Sequence, residues 1–211
     1  MTPTFFFIAD NPALDFANTV FKPTDELVEL LPDGKALLGW LLAAGLIDAE
    51  EQAALLQRFD GATLDRMALQ ARSLRDMLRT ALPVIKQGTP LKDAIGPLLK
   101  EVNAVLAQDP RYLSADLIEG TVHVRQRRIW DKPEQLLAMV AEQIALLFMR
   151  SDYTLVRKCA NPTCWAWFED KTKAHRRQYC SPSACGNRAK VAAFRQRKKA
   201  EAADDSSAGM E

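Results

Sequence analysis

The chain has 211 residues, 48% of them hydrophobic, which is enough for one sizeable core and a small second unit but too little for three domains. No uninterrupted apolar run of about eighteen residues occurs, which excludes a spanning helix, and Phe5, Phe6 and Phe7 follow no basic leader, which argues against a signal peptide. The expectation is a soluble, cytoplasmic protein with no membrane partner, and the net charge of +1 hides a strong asymmetry within it.

The first helix is expected at Asn11, a capping side chain followed by Pro12, at a position that needs no amide hydrogen. Leu14, Phe16 and Val20 then fall near one face, and Pro23 and Pro32 punctuate the segment beyond them. Asp33 or Gly34 opens a second helix with a broad stripe of Leu37, Leu38, Trp40, Leu41 and Leu42, closed by Gly45. Asp48 and Glu51 form a capping box ahead of Ala54, Leu55 and Phe59, and a longer helix runs from Thr63 to Lys86. After Gly88-Thr89-Pro90, Leu91, Ile95, Leu98, Leu99, Val102 and Leu106 restart the helical period, which Asp109-Pro110 ends.

Between Tyr112 and Ile129 the period shifts towards two, with Val122 and Val124 alternating with His123 and Arg125, and Glu119-Gly120 marks the turn of a two-stranded hairpin. A helix from Asp131-Pro133 then runs through Leu136, Val140, Ile144, Leu147 and Phe148 to near Arg150. Trp40 and Trp130 read as core, and His123 as a strand residue without chemistry. The fold class is α+β, mainly α: a helical N-terminal domain over 1–152 with a small hairpin, a small second unit over 153–199, and a disordered tail over 200–211, rich in Ala, Asp, Ser and Gly.

The four cysteines all lie in that second unit, as Cys159-x4-Cys164-x15-Cys180-x4-Cys185. Two short loops that each supply two thiolates satisfy tetrahedral zinc without a large core, and Asn161-Pro162-Thr163 and Ser181-Pro182-Ser183 bring turn chemistry to both. One structural Zn2+ per chain is the expectation. Disulfides suit an oxidising compartment better, a redox pair lacks its usual Cys-x-x-Cys spacing, and four thiolates leave no open position for a catalytic water. His175 in its basic loop reads as exposed and not as a ligand. Trp165, Trp167 and Phe168 precede a polar stretch and suggest a short hairpin returning through Gln178 and Tyr179. Knuckle, hairpin and helix is the order of a treble clef.

Cys185-Gly186-Asn187-Arg188 with Ala189-Lys190, preceded by Cys159-Ala160-Asn161-Pro162-Thr163-Cys164, closely resembles the CGNR zinc-finger family. Asn11 to Val20 (NPALDFANTV) similarly resembles the ABATE domain that precedes this finger. The resemblance implies a bacterial, stress-induced transcription regulator, with Cys159, Cys164, Cys180 and Cys185 as the zinc ligands.

Residues 1–156 carry 16 Lys+Arg and 21 Asp+Glu, whereas residues 157–199 carry 12 Lys+Arg against only Glu169 and Asp170. Such a segment on an acidic body points to a polyanion, with a plain solvated helix face as its rival. In a helix from about Ser183 to Lys199, at about 100° per residue, Val191 and Phe194 form a stripe expected to pack on the finger. Arg188, Arg195 and Lys199 line a neighbouring stripe beside Ala192. Arg188, Lys190, Arg195, Arg197, Lys198 and Lys199 are the candidate contacts to duplex DNA. Asn187 and Arg188 either read base edges or brace the zinc loop by hydrogen bonds to thiolates or carbonyls, and for Asn187 bracing is favoured. Trp165 and Trp167 suggest base stacking or finger core, and the Arg125, Arg127 and Arg128 cluster either extends the basic surface or protects a strand edge.

The sequence shows no nucleophile, base or cofactor loop, so no enzyme is expected. It points to a zinc-containing DNA-binding transcription regulator whose front domain senses a small-molecule or protein signal or forms a homodimer. The alternative is a protein-interaction module that uses the finger as a scaffold.

Overall fold

The computed structural model describes residues 4–22, 26–150 and 152–208, and the side chains within them except at position 150 and from 199 onward. Pro23 therefore lies outside the described residues. No helix among the described residues is long and apolar enough to cross a membrane.

The helices begin where local chemistry starts them. Asn11 caps α1 (Pro12–Ala17) by accepting from the amides of Ala13 and Leu14, and Asp33 caps α2 (Gly34–Ala43). Asp48 and Glu51 form the reciprocal capping box of α3 (Ala49–Arg58), and Asp60 caps α4 (Gly61–Lys86). The cap at Asp60 sets the start of α4 two residues ahead of Thr63. Helices α5 (Leu91–Leu106) and α6 (Gln135–Arg150) complete the front of the molecule.

The long helix α4 is the centre of packing. Its Leu64, Met67, Ala68, Ala71, Leu74, Leu78 and Leu82 recur at helical spacing and are buried, facing α2, α5 and α6. Trp40 of α2 is fully buried against Phe16, their ring centroids 5.3 Å apart. The polar side of α4 is also committed. Arg75 grips Glu29 through both terminal nitrogens at 2.7 and 2.8 Å, Arg72 donates to the carbonyls of Leu31 and Pro32, and Arg79 donates to the carbonyl of Ala17.

Val20 does not continue the first helix. Asn18 ends α1, and Val20 enters a short strand, β1 (Val20–Phe21), paired antiparallel with β2 (Val28–Glu29). The Asn18 side chain is taken up by a distant backbone, and Arg79 occupies the Ala17 carbonyl, so α1 stops there. Strands β3 (Arg111–Ile118) and β4 (Thr121–Arg128) form the expected hairpin. Its turn residues Glu119 and Gly120 have φ of 49° and 79°, the left-handed pair that a type I′ turn requires.

In the C-terminal unit, β5 (Val156–Lys158) pairs with β6 (Trp167–Glu169), and the first cysteine loop is the connection between them. The expected return through Gln178 and Tyr179 is not a strand. Asp170 is the reason: fully buried, it accepts from the Thr172 amide and hydroxyl and from the Arg177 amide, so the chain wraps around a carboxylate where a sheet was anticipated. A wide π-type turn (Pro182–Gly186) then leads into α7 (Asn187–Ala208). This helix runs past Lys199 into the segment read as a disordered tail, where Ala200, Ala202, Ala203 and Ala208 supply strong helix formers.

One contiguous cluster of buried side chains extends from the front helices through Val156, Trp167 and Phe168 to Cys159, Cys180 and Cys185. Asp15 of α1 sits within it and accepts from the amides of Ile8 and Ala9 at 2.8 and 2.9 Å. Burial pushes its pKa from 3.8 up to about 6, although those two amide bonds act against the rise.

A Cβ on Gly34 would lie 2.3 Å from Leu64 Cβ and 2.4 Å from its carbonyl carbon. Gly34→Ala should therefore cost about 1–3 kcal/mol, read as a lower denaturant midpoint at unchanged m. Folded Asp15 retains its proton at pH values where the unfolded chain has lost it, so folding takes up a proton between about pH 4 and pH 6 and stability falls as pH rises through that window. Asp15→Asn should remove this slope from midpoints measured across the same range.

Candidate metal centre and basic helix

Cys159 follows β5, Cys164 precedes β6, Cys180 follows the Asp170 loop, and Cys185 sits in the π-type turn. The four sulfurs all lie within 4.8 Å of one another, with Cys164 to Cys180 at 3.7 Å and Cys180 to Cys185 at 3.6 Å. A tetrahedral zinc with Zn–S of about 2.3 Å separates its sulfur corners by about 3.8 Å, so the observed spacing fits one ion with four protein ligands and no open position. His175 is outside this cluster. It is exposed, and its Nδ1 lies 3.1 Å from the Asp170 carbonyl.

Without a cation the sulfurs cannot share their charge evenly. The hydrogen bond from Cys180 draws the Cys164 thiol down to about 5, while donation to Cys164 and burial push Cys180 up, and burial pushes Cys159 up. One thiolate forms at the expense of its neighbours, and a dication in the centre removes that conflict.

Backbone and side-chain donors also meet the sulfurs. The Cys180 amide points to Cys159 Sγ at 3.5 Å, Asn161 Nδ2 to Cys185 Sγ at 3.7 Å, and Arg188 Nη2 to Cys185 Sγ at 3.1 Å. Arg188 thus braces the metal loop, one of the two roles expected for it. The bracing asparagine is Asn161 and not Asn187, whose side chain is exposed while its amide caps the π-type turn on Ala184 and Pro182. Asn161 reads as a turn residue in the sequence, and it is one: its Oδ1 accepts from the amide and hydroxyl of Thr163, which leaves Nδ2 aimed at the sulfur.

Trp167 is buried in the finger core. Trp165 is half-buried beneath Arg79, whose guanidinium lies 5.7 Å from its ring, so it is not an open stacking platform. Sequence reading missed the residues that fasten the finger to the front helices. Asn18 pairs with the Trp167 backbone like a strand, donating to its carbonyl at 2.8 Å and accepting from its amide at 2.9 Å. Arg177 donates to the carbonyls of Ile8 and Cys180 and to the Asp10 carboxylate, with its guanidinium 4.4 Å from the Phe168 ring. Asn18 and Trp167 lie 149 residues apart in the chain, beyond the reach of any local pattern.

Helix α7 departs from the π-type turn, and Arg188, Lys190, Arg195, Arg197 and Lys198 all lie on its outer, solvent-facing length. The Lys199 side chain lies outside the described residues. The expected packing of Val191 and Phe194 on the finger is not found. They are 41% and 54% exposed, because the helix leaves the finger within its first turns, and the Lys198 ammonium of the same helix lies 5.9 Å from the Phe194 ring. Arg128 is half-buried in a carboxylate pocket of Asp109 and Glu142, Arg127 approaches Asp116 at 3.5 Å, and both stand on a hairpin apart from the metal loop.

Replacing Arg188 by Ala should weaken zinc retention by about 10–100-fold in chelator competition, while Asn187→Ala leaves it unchanged. Metal analysis of the wild-type chain should return one zinc per chain.

Among the comparisons with known proteins, the family model for the CGNR zinc finger matches residues 156–198. A second model, ABATE, described as "Putative stress-induced transcription regulator", matches residues 10–150. No curated protein matches the chain.

Proposed function

Because this chain belongs to the ABATE family and carries a CGNR zinc finger at its C-terminal end, we propose that it is a non-enzymatic transcription regulator that binds duplex DNA through α7. One observation carries the reading. From Asn187 to Lys198 the helix presents five cations and no acidic residue, and none of the five has a carboxylate partner among the described residues. A helix meant only to stay solvated usually interleaves both signs, whereas one that meets a polyanion does not.

In this reading Lys190, Arg195, Arg197 and Lys198 meet phosphates, and Lys199 joins them by its spacing. The exposed stripe of Val191 and Phe194 supplies apolar contact to thymine methyl groups in the major groove, with Asn187 near the helix start to reach a base edge. Arg188 serves as a brace on the metal loop that orients the first turn. The finger's attachment to the front helices supports a division of labour in which the ABATE region holds the finger and sets its direction.

The test is the salt dependence of binding. Each phosphate neutralised should contribute about −0.9 to the slope of log K against log salt, so Arg195→Ala with Lys198→Ala should flatten that slope by about 1–2 units. Zinc content should not change. If the wild-type chain binds no duplex at low salt, the DNA reading falls and a protein partner for the basic helix takes its place.

A further inference from the structure

A cavity of about 300 Å³ lies where the N-terminal segment meets the metal loop, a size that takes a small ligand. Its walls are largely apolar, with Phe6, Ile8, Val20, Phe21 and Trp165 among them, and no described residue that lines it is acidic. Its other lining is chemical. Cys164, Cys180 and Cys185 all border it, and so does Arg188. Of the four cysteines Cys164 alone is half-buried, whereas the other three are at most 5% exposed. A cysteine held on a metal is a thiolate, the form that attacks electrophiles. Arg188 spends only Nη2 on the Cys185 sulfur, which leaves Nε and Nη1 as donors without a partner among the described residues. The cavity therefore pairs an apolar body with a nucleophilic sulfur and a cationic hydrogen-bond donor.

We propose that this cavity takes an organic hydroperoxide with an apolar body and that Cys164 is the sulfur it oxidises, so that the finger gives up its metal. The Cys164 thiolate attacks the terminal oxygen, the O–O bond breaks, and the sulfur keeps that oxygen as a sulfenic acid. The alkoxide that departs accepts a hydrogen bond from Arg188 and takes a proton from water. The Cys180 thiolate, 3.7 Å from Cys164, then attacks the oxidised sulfur and expels hydroxide. Two thiolates have lost two electrons and become one disulfide, and the hydroperoxide has gained them and become an alcohol and hydroxide. Cys159 and Cys185 remain, too few to hold a tetrahedral ion. Hydrogen peroxide offers the same O–O bond but no apolar body, so the walls of the cavity favour the organic oxidant.

This reaction is independent of DNA, so it is tested without DNA, on the full zinc-loaded chain, with released metal read by a chromogenic chelator. Cumene hydroperoxide and hydrogen peroxide are compared at equal concentration. The organic oxidant should release zinc about 10-fold faster or more, the gain expected from burying one aromatic ring. Peptide mass spectrometry should find Cys164 joined to Cys180 as the first disulfide. Ala184 borders the cavity and is exposed, so Ala184→Phe fills the space without disturbing the core. That variant should bind zinc as the wild type does and lose the preference for cumene hydroperoxide while keeping its slower response to hydrogen peroxide. Equal rates with the two oxidants on the wild-type chain overturn the proposal. So does a first disulfide that lacks Cys164, or a preference that survives in a zinc-loaded Ala184→Phe chain.

Discussion

Four sulfurs within 4.8 Å of one another cannot all carry charge unless a cation sits among them, and much of the C-terminal unit is arranged around that fact. Both cysteine loops turn on Asn or Ser side chains that accept backbone hydrogen bonds, which keeps the thiols close without help from a wide sheet. The donors around the cluster, from Asn161, Arg188 and the Cys180 amide, spread the excess negative charge of a tetrathiolate site into the surrounding protein. The start of α7 is bound to the same arrangement, because Cys185 lies in the turn that launches it and Arg188 in its first turn.

The metal alone does not account for the position of the finger. Trp167 and Phe168 belong to the same buried cluster as the front helices, and the Trp167 backbone completes its hydrogen bonding on the Asn18 side chain. Asn11 donates to Glu169, the Glu169 amide donates to the Ala9 carbonyl, and Arg177 closes the opposite side on Ile8 and Asp10. The N-terminal segment is thus an adapter between the helical body and the zinc unit.

Much of the helical framework was legible because its signals are local. Asn11-Pro12, Asp33, the Asp48–Glu51 box, Glu119-Gly120 and the cysteine spacing each act within a few residues, and each stands where the structure uses it. What escaped depends on partners distant in sequence. Val20 keeps a helical period but enters a strand because Asn18 serves a distant backbone, and the buried Asp170 replaces a strand that its polar neighbours suggest. Val191 and Phe194 mislead for a related reason: an apolar stripe says that something covers it, but not that the cover lies in the same chain. Asn161 could have been found, since an asparagine whose oxygen is fixed by a turn has its amide free to serve the next sulfur.

The clasp between Asn18 and Trp167 also bears on how such a chain can change over generations. A zinc finger that satisfies its own backbone can be copied, shuffled and fused to new neighbours as a cassette. This one leaves a carbonyl and an amide of its second strand to be completed by a side chain 149 residues away in the sequence. Recombination that separated the two would leave both groups buried and unpaired, so the halves of this protein are inherited most safely together.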